Sequence, residues 1–213
     1  MSVITVSRQT ASLADEITRR LCERLGYHYF DKALMAQLAP EVGLAPSKVV
    51  DVSEREHRAP SLLERFFGRV QTFDGDPAGF TYTTQADAQV EMTVQQVRAL
   101  ILAAYDRGNV VIAGRGSQVV LADKPDVLHV RIVAPAEVRA KRWQERLGLS
   151  IEAARERVRV RDAAHVDFVK RFFDVDLTDP SLYDLTVNTG KLTPVAAVDV
   201  IVKALESLSA KAA

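Results

Sequence analysis

The feature that most constrains this chain is the alternation of short, β-branched apolar runs with longer stretches of helical period. Val3-Ile4-Thr5-Val6, residues 27–30, Val110-Val111-Ile112-Ala113, residues 127–133 and Leu185-Thr186-Val187 are short and bounded by polar residues or turn formers. Between the first two runs Leu13, Ile17, Leu21 and Leu25 recur every fourth residue, and Gly26 ends the pattern as a helix C-cap would. Short apolar strands separated by helices make a parallel sheet with helices on both faces. With 213 residues, 47% of them hydrophobic, the chain can bury the core of one such α/β domain and carry an insertion as well.

The remaining stretches fit around that frame. A helix is predicted from Lys32 to about Leu38, broken by Pro40, Gly43 and Pro46. Residues 47–71 are charged and helical in pattern, interrupted by Pro60 and Gly68, and the glycine- and aspartate-rich stretch 73–82 reads as a loop. Residues 84–107 read as one long helix with Met92, Val97, Leu100, Ile101 and Ala104 on its apolar face. Pro135 opens a helix in the manner of a first-turn proline, Ser150 opens another as its N-cap, and residues 193–208 form a closing amphipathic helix.

In parallel sheets of this kind ligands bind beyond the carboxyl ends of the strands. The turns after the first three strands, at 7–14, 31–32 and 114–117, are therefore where chemistry is expected. Gly114-Arg115-Gly116 is the clearest pointer: the glycines allow a sharp turn off a buried strand and plant an arginine at the ligand edge. Arg8 follows the first strand, and Arg139 and Arg142 lie three apart on one helix. Arg155, Arg157, Arg159 and Arg161 form a further run, in which 157 and 161 share one helix face and 155 and 159 another. Phosphoryl transfer needs little covalent help from a protein but needs positive charge, backbone N–H donors and a metal to hold in-line geometry. These arginines fit that need.

Several classes of partner are disfavoured. The 28 basic and 28 acidic residues cancel, which argues against broad electrostatic binding to nucleic acid or to a membrane surface. The single cysteine, Cys22, excludes an intrachain disulfide and offers no metal-ligand cluster. No apolar run approaches the roughly 20 residues of a membrane span, and Met1 leads into a strand without a basic-then-apolar leader. The expectation is a soluble, cytoplasmic protein acting on small molecules, with a homo-oligomer left open.

SRQTASLADEI, LGYHYFDK, VVIAGRGSQVVL, RIVAPAEVRAKRWQERLGLS and LTDPSLYDLTVNTGKLT, in that order and spacing, resemble the cytidylate kinase-like family, a branch of the P-loop nucleoside monophosphate kinases. The resemblance covers nearly the whole chain and is least distinctive over 51–82. It implies a P-loop NTPase-like three-layer α/β fold with a five-stranded parallel sheet. As a single domain over 1–213 it would have a core of 1–39, 84–149 and 182–213, a helical NMP-binding insertion at 40–83 and a lid at 150–181. It further implies transfer of the γ-phosphoryl of ATP to CMP or a related nucleotide, with Mg²⁺. By the same resemblance Ser7, Arg8, Gln9, Ala11, Ser12, Leu13 and Ala14 border the phosphates, while Asp31 and Lys32 position the acceptor nucleotide. Gly114 and Arg115 grip the acceptor phosphate, Arg139 and Arg142 meet ATP, and Arg157, Arg161, Asp162 and His165 belong to the lid.

The chain also departs from that pattern. Ala11-Ser12-Leu13-Ala14 stands where the family resembles Gly-Ser-Gly-Gly, and no lysine follows the loop until Lys32. Ala or Leu at positive φ costs on the order of 1 kcal/mol per position, and Asp15 and Glu16 in the first helical turn repel phosphate. Gly116 replaces an aspartate, and His165 stands three residues after Asp162 where the family has an arginine. Three readings follow: an active kinase on CMP or a related monophosphate, a kinase on another small phosphorylated acceptor, or a pseudokinase serving as a nucleotide sensor or interaction module. An ordinary capped helix, with Ser12 near its start, is the alternative to a working phosphate cradle.

Overall fold

A computed structural model describes residues 2–44 and 87–211; the stretches read as a charged helix at 47–71 and a loop at 73–82, and most of the insertion assigned to 40–83, lie outside the described residues. The elements in chain order are β1 (Val3–Arg8), α1 (Ala14–Leu25), β2 (His28–Tyr29), α2 (Lys32–Leu38), α3 (Asp87–Arg107), β3 (Val110–Ala113) and α4 (Ser117–Val120), followed by β4 (Val127–Val133), α5 (Ala136–Leu147), α6 (Ile151–Phe173), β5 (Leu185–Asn188) and α7 (Pro194–Lys211). The five strands form one sheet in the order β2-β3-β1-β4-β5, and every pairing is parallel. This is the P-loop NTPase-like α/β architecture.

The chain divides into two compact units. The first, Met1–Phe30 with Ala104–Ala213, contains the whole sheet. Its core joins Ile4 and Val6 of β1, Val111 of β3, Val130 and Ile132 of β4 and Val187 of β5 to Ile17 and Leu21 of α1 and Ala197 and Ile201 of α7. The four-residue apolar spacing of α1 puts Ile17 and Leu21 on one face at 0% exposure. Burying each contributes roughly 1.5–3 kcal/mol. A satellite cluster of Ala140, Trp143, Ala154 and Val158 locks α5 to α6, with Ala11 packed against it. The second unit, Asp31–Ala103, holds α2 and most of α3. In it Asp31 is the N-cap of α2, its Oδ1 accepting the Leu34 N–H at 2.8 Å.

The element boundaries differ from the sequence reading in ways that matter for the site. β1 continues through Ser7 and Arg8, which the sequence assigned to the turn. Its pairing with β3 stops at Val6↔Ala113, whereas its pairing with β4 runs on through Ser7↔Arg131 and Arg8↔Ile132. The ends of β1 and β3 therefore part, and the chain leaves β1 and β4 in opposite directions, the topological switch point at which such sheets bind ligands. α1 begins at Ala14 rather than Ser12, and β2 spans only two residues.

Candidate active site

The turn between β1 and α1 has a glycine-type backbone without glycine. Ala11 (φ 55°) and Leu13 (φ 64°) both lie in the left-handed region. Side chains from elsewhere hold them there. Arg139 Nη1 donates to the Thr10 carbonyl at 3.4 Å, Arg142 Nη1 to the Ala11 carbonyl at 3.1 Å, and Thr189 Oγ1 to the Ser12 carbonyl at 2.8 Å. Three consecutive carbonyls are thus turned toward α5 and the turn after β5. Trp143 Nε1 adds a bond to Thr10 Oγ1 at 3.3 Å. Left-handed residues can turn successive N–H groups into an anion-binding concavity; here the Ser12 N–H already donates to the Gln9 carbonyl at 3.3 Å. The first amides of α1 lack carbonyl partners within the helix and add donors to the turn.

Leu13 is the N-cap residue of α1 and supplies no side-chain cap. Ser12 is not the cap that an ordinary capped helix would have: it is 1% exposed, and its Oγ has no hydrogen-bond partner among the described residues. A buried hydroxyl without a partner is unfavourable by about 1–3 kcal/mol, which makes this loop a place where a ligand oxygen would be welcome.

Four residues assigned to the site, Gln9, Arg139 and Arg142 as nucleotide contacts and Asp162 as a catalytic lid residue, also shape the loop. Gln9 Oε1 accepts the Ala134 N–H at 3.1 Å, tying the end of β1 to the end of β4. Arg139 is 4% exposed and donates from Nε to the Ala134 carbonyl at 2.9 Å and from Nη1 to Asp162 Oδ2 at 2.7 Å. Asp162 Oδ1 in turn accepts the Thr10 N–H at 3.4 Å. Arg142 Nη2 donates to the Thr189 carbonyl at 2.6 Å. Burial, then the neighbouring Arg139, lowers the Arg142 pKa, yet a guanidinium stays charged in a protein.

The turn after β3 takes the opposite route to a similar backbone. Gly114, Arg115 and Gly116 have φ of 73°, 59° and 69°. A Cβ on Gly114 would sit 3.1 Å from Arg8 Nη1, so the glycine makes room for the guanidinium at the end of β1. A Cβ on Gly116 would meet the Phe173 ring at 2.4 Å, so the last residue of α6 occupies the space a side chain would need. Arg115 lies over the Phe30 ring at 5.5 Å and donates from Nη1 to the Phe30 carbonyl at 3.3 Å. Arg8 pairs through Nε with Asp15 Oδ1 at 3.4 Å. Tyr29 lies within electrostatic reach of both Arg8 and Arg115, which places the two arginines on one side of the site.

On α6 the two arginine faces separate. Arg157 and Arg161 lie over the Trp143 ring at 4.6 and 5.7 Å. Arg155 makes an exposed two-pronged contact with Glu137, and Arg159 pairs with Glu156. Burial, then the Arg8 guanidinium, hold the His165 pKa down to about 4. Asp31 caps α2 and Lys32 opens it, both in the second unit.

Sequence reasoning missed several members of the site. Arg131 lies over the Tyr183 ring at 5.2 Å and donates to the Leu177 carbonyl. The Tyr183 hydroxyl donates to the Leu177 carbonyl at 3.0 Å and lies 3.2 Å from Ser7 Oγ. The available signal for Arg131 was a charge inside an apolar strand run, VLHVRIV. Thr10 and Trp143 carried no comparable signal, whereas Thr189 follows the fifth strand in an Asn-Thr-Gly turn.

A five-stranded parallel sheet whose first strand feeds a left-handed turn and a helix, with arginines gathered at its carboxyl edge, defines a P-loop-type kinase fold. The chain belongs to the cytidylate kinase-like family, whose sequence profile matches residues 3–191. It is 28% identical over 209 residues to a cytidylate kinase of Pyrococcus horikoshii, covering 97% of this chain and 89% of that one. It is 33% identical over 113 residues to a cytidylate kinase of Methanopyrus kandleri, a match spanning 49% of this chain and 58% of the relative. A gluconokinase from Sinorhizobium meliloti superposes with a TM-score of 0.53 at 12% identity, over 99% of this chain and 94% of that one, a likeness of fold. Among the described residues no helix is long and apolar enough to cross a membrane. Family membership supports a nucleotide kinase.

Proposed function

We propose that this protein transfers the γ-phosphoryl of ATP to CMP or a related nucleoside monophosphate, giving two diphosphates. The observation that carries this reading is the β1–α1 turn: it keeps left-handed residues at 11 and 13, without glycine, because Arg139, Arg142 and Thr189 hold its carbonyls outward. Strain of this kind persists where the surroundings over-determine it, as at sites of function.

In this reading the amides of residues 11 and 13–15 and the Ser12 hydroxyl receive the phosphates of ATP, while the Ser12 N–H stays with the Gln9 carbonyl. The orphaned Ser12 Oγ fits an oxygen-rich ligand. Magnesium, which the family implies, would supply positive charge against the charge developing on the transferred phosphoryl group. Ser7 and Arg8 border that cradle from β1, while Gln9, Arg139, Arg142 and Asp162 keep it in shape. Arg115 grips the acceptor phosphate beside Gly114. Arg157 and Arg161 leave Trp143 to meet the transferring group, with His165 below them on α6. Asp31 and Lys32 serve the acceptor side.

A pseudokinase is the second reading, favoured by one observation. Asp15, in the first turn of α1, pairs with Arg8 and brings a carboxylate to the mouth of the cradle. Calorimetric titration with ATP–Mg²⁺ and with CMP, beside a coupled assay for ADP, separates the two. Arg115→Ala is expected to abolish CMP binding while thermal unfolding stays cooperative. Unchanged CMP affinity in that variant would remove the assigned role of Arg115, and saturable nucleotide binding without ADP release would favour the sensor.

A further inference from the structure

The ends of β1 and β3 part at the sheet edge, and the Arg8 side chain spans the gap between the two turns. On one side a Cβ on Gly114 would stand only 3.1 Å from its Nη1, so the guanidinium packs against the turn that carries Arg115. On the other side its Nε pairs with Asp15 Oδ1 at 3.4 Å. The strand explains the contact. Val6 faces the core shared with α1, and Arg8, two residues further on in β1, faces the same way. Asp15, in the first turn of α1, meets it there. The two partners are unequal. The Arg8 side chain is 19% exposed and that of Asp15 51%, so the cation is held in place while the anion is open to solvent. Ser12, in the same turn, keeps a buried Oγ without a hydrogen-bond partner among the described residues. Glu16, the other carboxylate of that first helical turn, is engaged elsewhere, with Arg20 at 2.9 Å.

We propose that Asp15 is a built-in competitor for Arg8, which makes this turn select polyphosphates carrying a divalent cation over the cation-free anions. The proposal rests on the reading of the β1–α1 turn as one that receives phosphate. With no ligand bound, Asp15 takes the place of an oxyanion on Arg8. A phosphate entering the turn takes over the guanidinium, whose planar fork suits its oxygens. Asp15 is half-exposed and returns to water at small cost, because an exposed ion pair is weak. What remains is a like charge beside the bound anion. Cation-free pyrophosphate or triphosphate meets that repulsion in full. The same anion bearing a divalent cation carries less negative charge, and it presents a hard cation to a carboxylate of the kind such cations accept. Asp15 therefore lowers affinity for the cation-free form more than for the complex, which is selectivity by a repulsive element. The carboxylate that counts against phosphate binding in the pseudokinase reading becomes in this one the group that sorts the ligands.

The test uses the full chain and inorganic pyrophosphate, titrated by calorimetry with Mg²⁺ and with a chelator instead, at one pH and one ionic strength. In the unaltered protein the magnesium complex is expected to bind more tightly than pyrophosphate alone. Asp15→Asn keeps the shape of the side chain and removes its charge. It should tighten cation-free pyrophosphate roughly threefold or more, the scale of releasing one exposed ion pair, and leave the magnesium complex unchanged or weaker. Glu16→Gln removes the same charge from the same helical turn and leaves the Arg8–Asp15 pair in place, so it should move the ratio of the two affinities far less. Thermal unfolding checks that both variants stay cooperatively folded. A ratio that Asp15→Asn does not move overturns the proposal. Equal shifts in the two variants overturn it as well, since they would reflect net charge alone, and so does absence of pyrophosphate binding in every form. A shifted ratio in a protein that forms no CDP would support the competitor while removing the kinase reading. CDP formation with an unmoved ratio would do the reverse.

Discussion

The two turns at the sheet edge reach left-handed backbone by different means. After β3, glycines at 114 and 116 adopt positive φ at little intrinsic cost, and Phe173 fills the space above Gly116. After β1, alanine and leucine adopt it against their preference, each at a cost of about 1 kcal/mol, and hydrogen bonds from Arg139, Arg142 and Thr189 offset that cost. One turn is shaped from within and the other from outside. A turn shaped from outside depends on residues more than a hundred positions away in the chain, so its conformation is tied to the state of α5 and α6.

That contrast can be broken at three points. The largest effect is expected from Arg139→Met, which strips the Thr10 and Ala134 carbonyls of a donor and leaves Asp162 without its partner. Asp162 is 29% exposed and keeps the Thr10 N–H, so the loss is expected to fall below the about 3–5 kcal/mol of breaking a fully buried pair. Denaturant midpoints would show the loss, and pyrophosphate affinity should fall with it, because the cradle relaxes. If affinity held while stability dropped, the carbonyl struts would not be what shapes the loop.

A smaller effect is expected from Gly116→Ala. The new methyl meets the Phe173 ring and takes a positive φ, for about 1–3 kcal/mol in all. Here the prediction is the opposite split: stability falls while pyrophosphate affinity at the β1 turn is kept. Phe173→Ala in the same chain should recover part of the loss, and no recovery would place the strain in the backbone alone.

The smallest effect belongs to Ala11→Gly. The backbone already stands in the left-handed region, so relief of strain and the greater freedom of glycine in the unfolded chain nearly cancel, within about 1 kcal/mol. In the Arg139→Met background the same change should restore more pyrophosphate affinity than it adds in the unaltered protein. Equal gains in both backgrounds would sink the idea that the struts substitute for glycine.

Much of the fold was legible from local pattern. The period-four spacing of Leu13, Ile17, Leu21 and Leu25 locates α1, and five short apolar or aromatic runs locate the strands, because periodicity and burial are properties of neighbouring residues. The glycine turn at 114–116 was legible for the same reason. The roles within the site were less so. Gln9, Arg139 and Arg142 read as nucleotide ligands and Asp162 as a catalytic lid residue; the structure adds that each is bonded to the backbone of the β1–α1 turn or to the ends of β1 and β4. A long polar side chain has no preferred partner in sequence; geometry chooses it.

The sequence by itself determined the strands, the helices, the parallel sheet and the family, since these follow from residue type and spacing along the chain. It also settled that Arg115 stands in a glycine turn off a buried strand. Only the tertiary structure decided that Ala11 and Leu13 take the conformation their side chains disfavour, that Phe173 occupies the space above Gly116, and that Arg131 lies over the Tyr183 ring. The physical reason is common to all three. Strain, close contact and electrostatic neighbourhood are relations between residues far apart in the chain, and they exist only once the sheet has brought the ends of β1, β3 and β4 together.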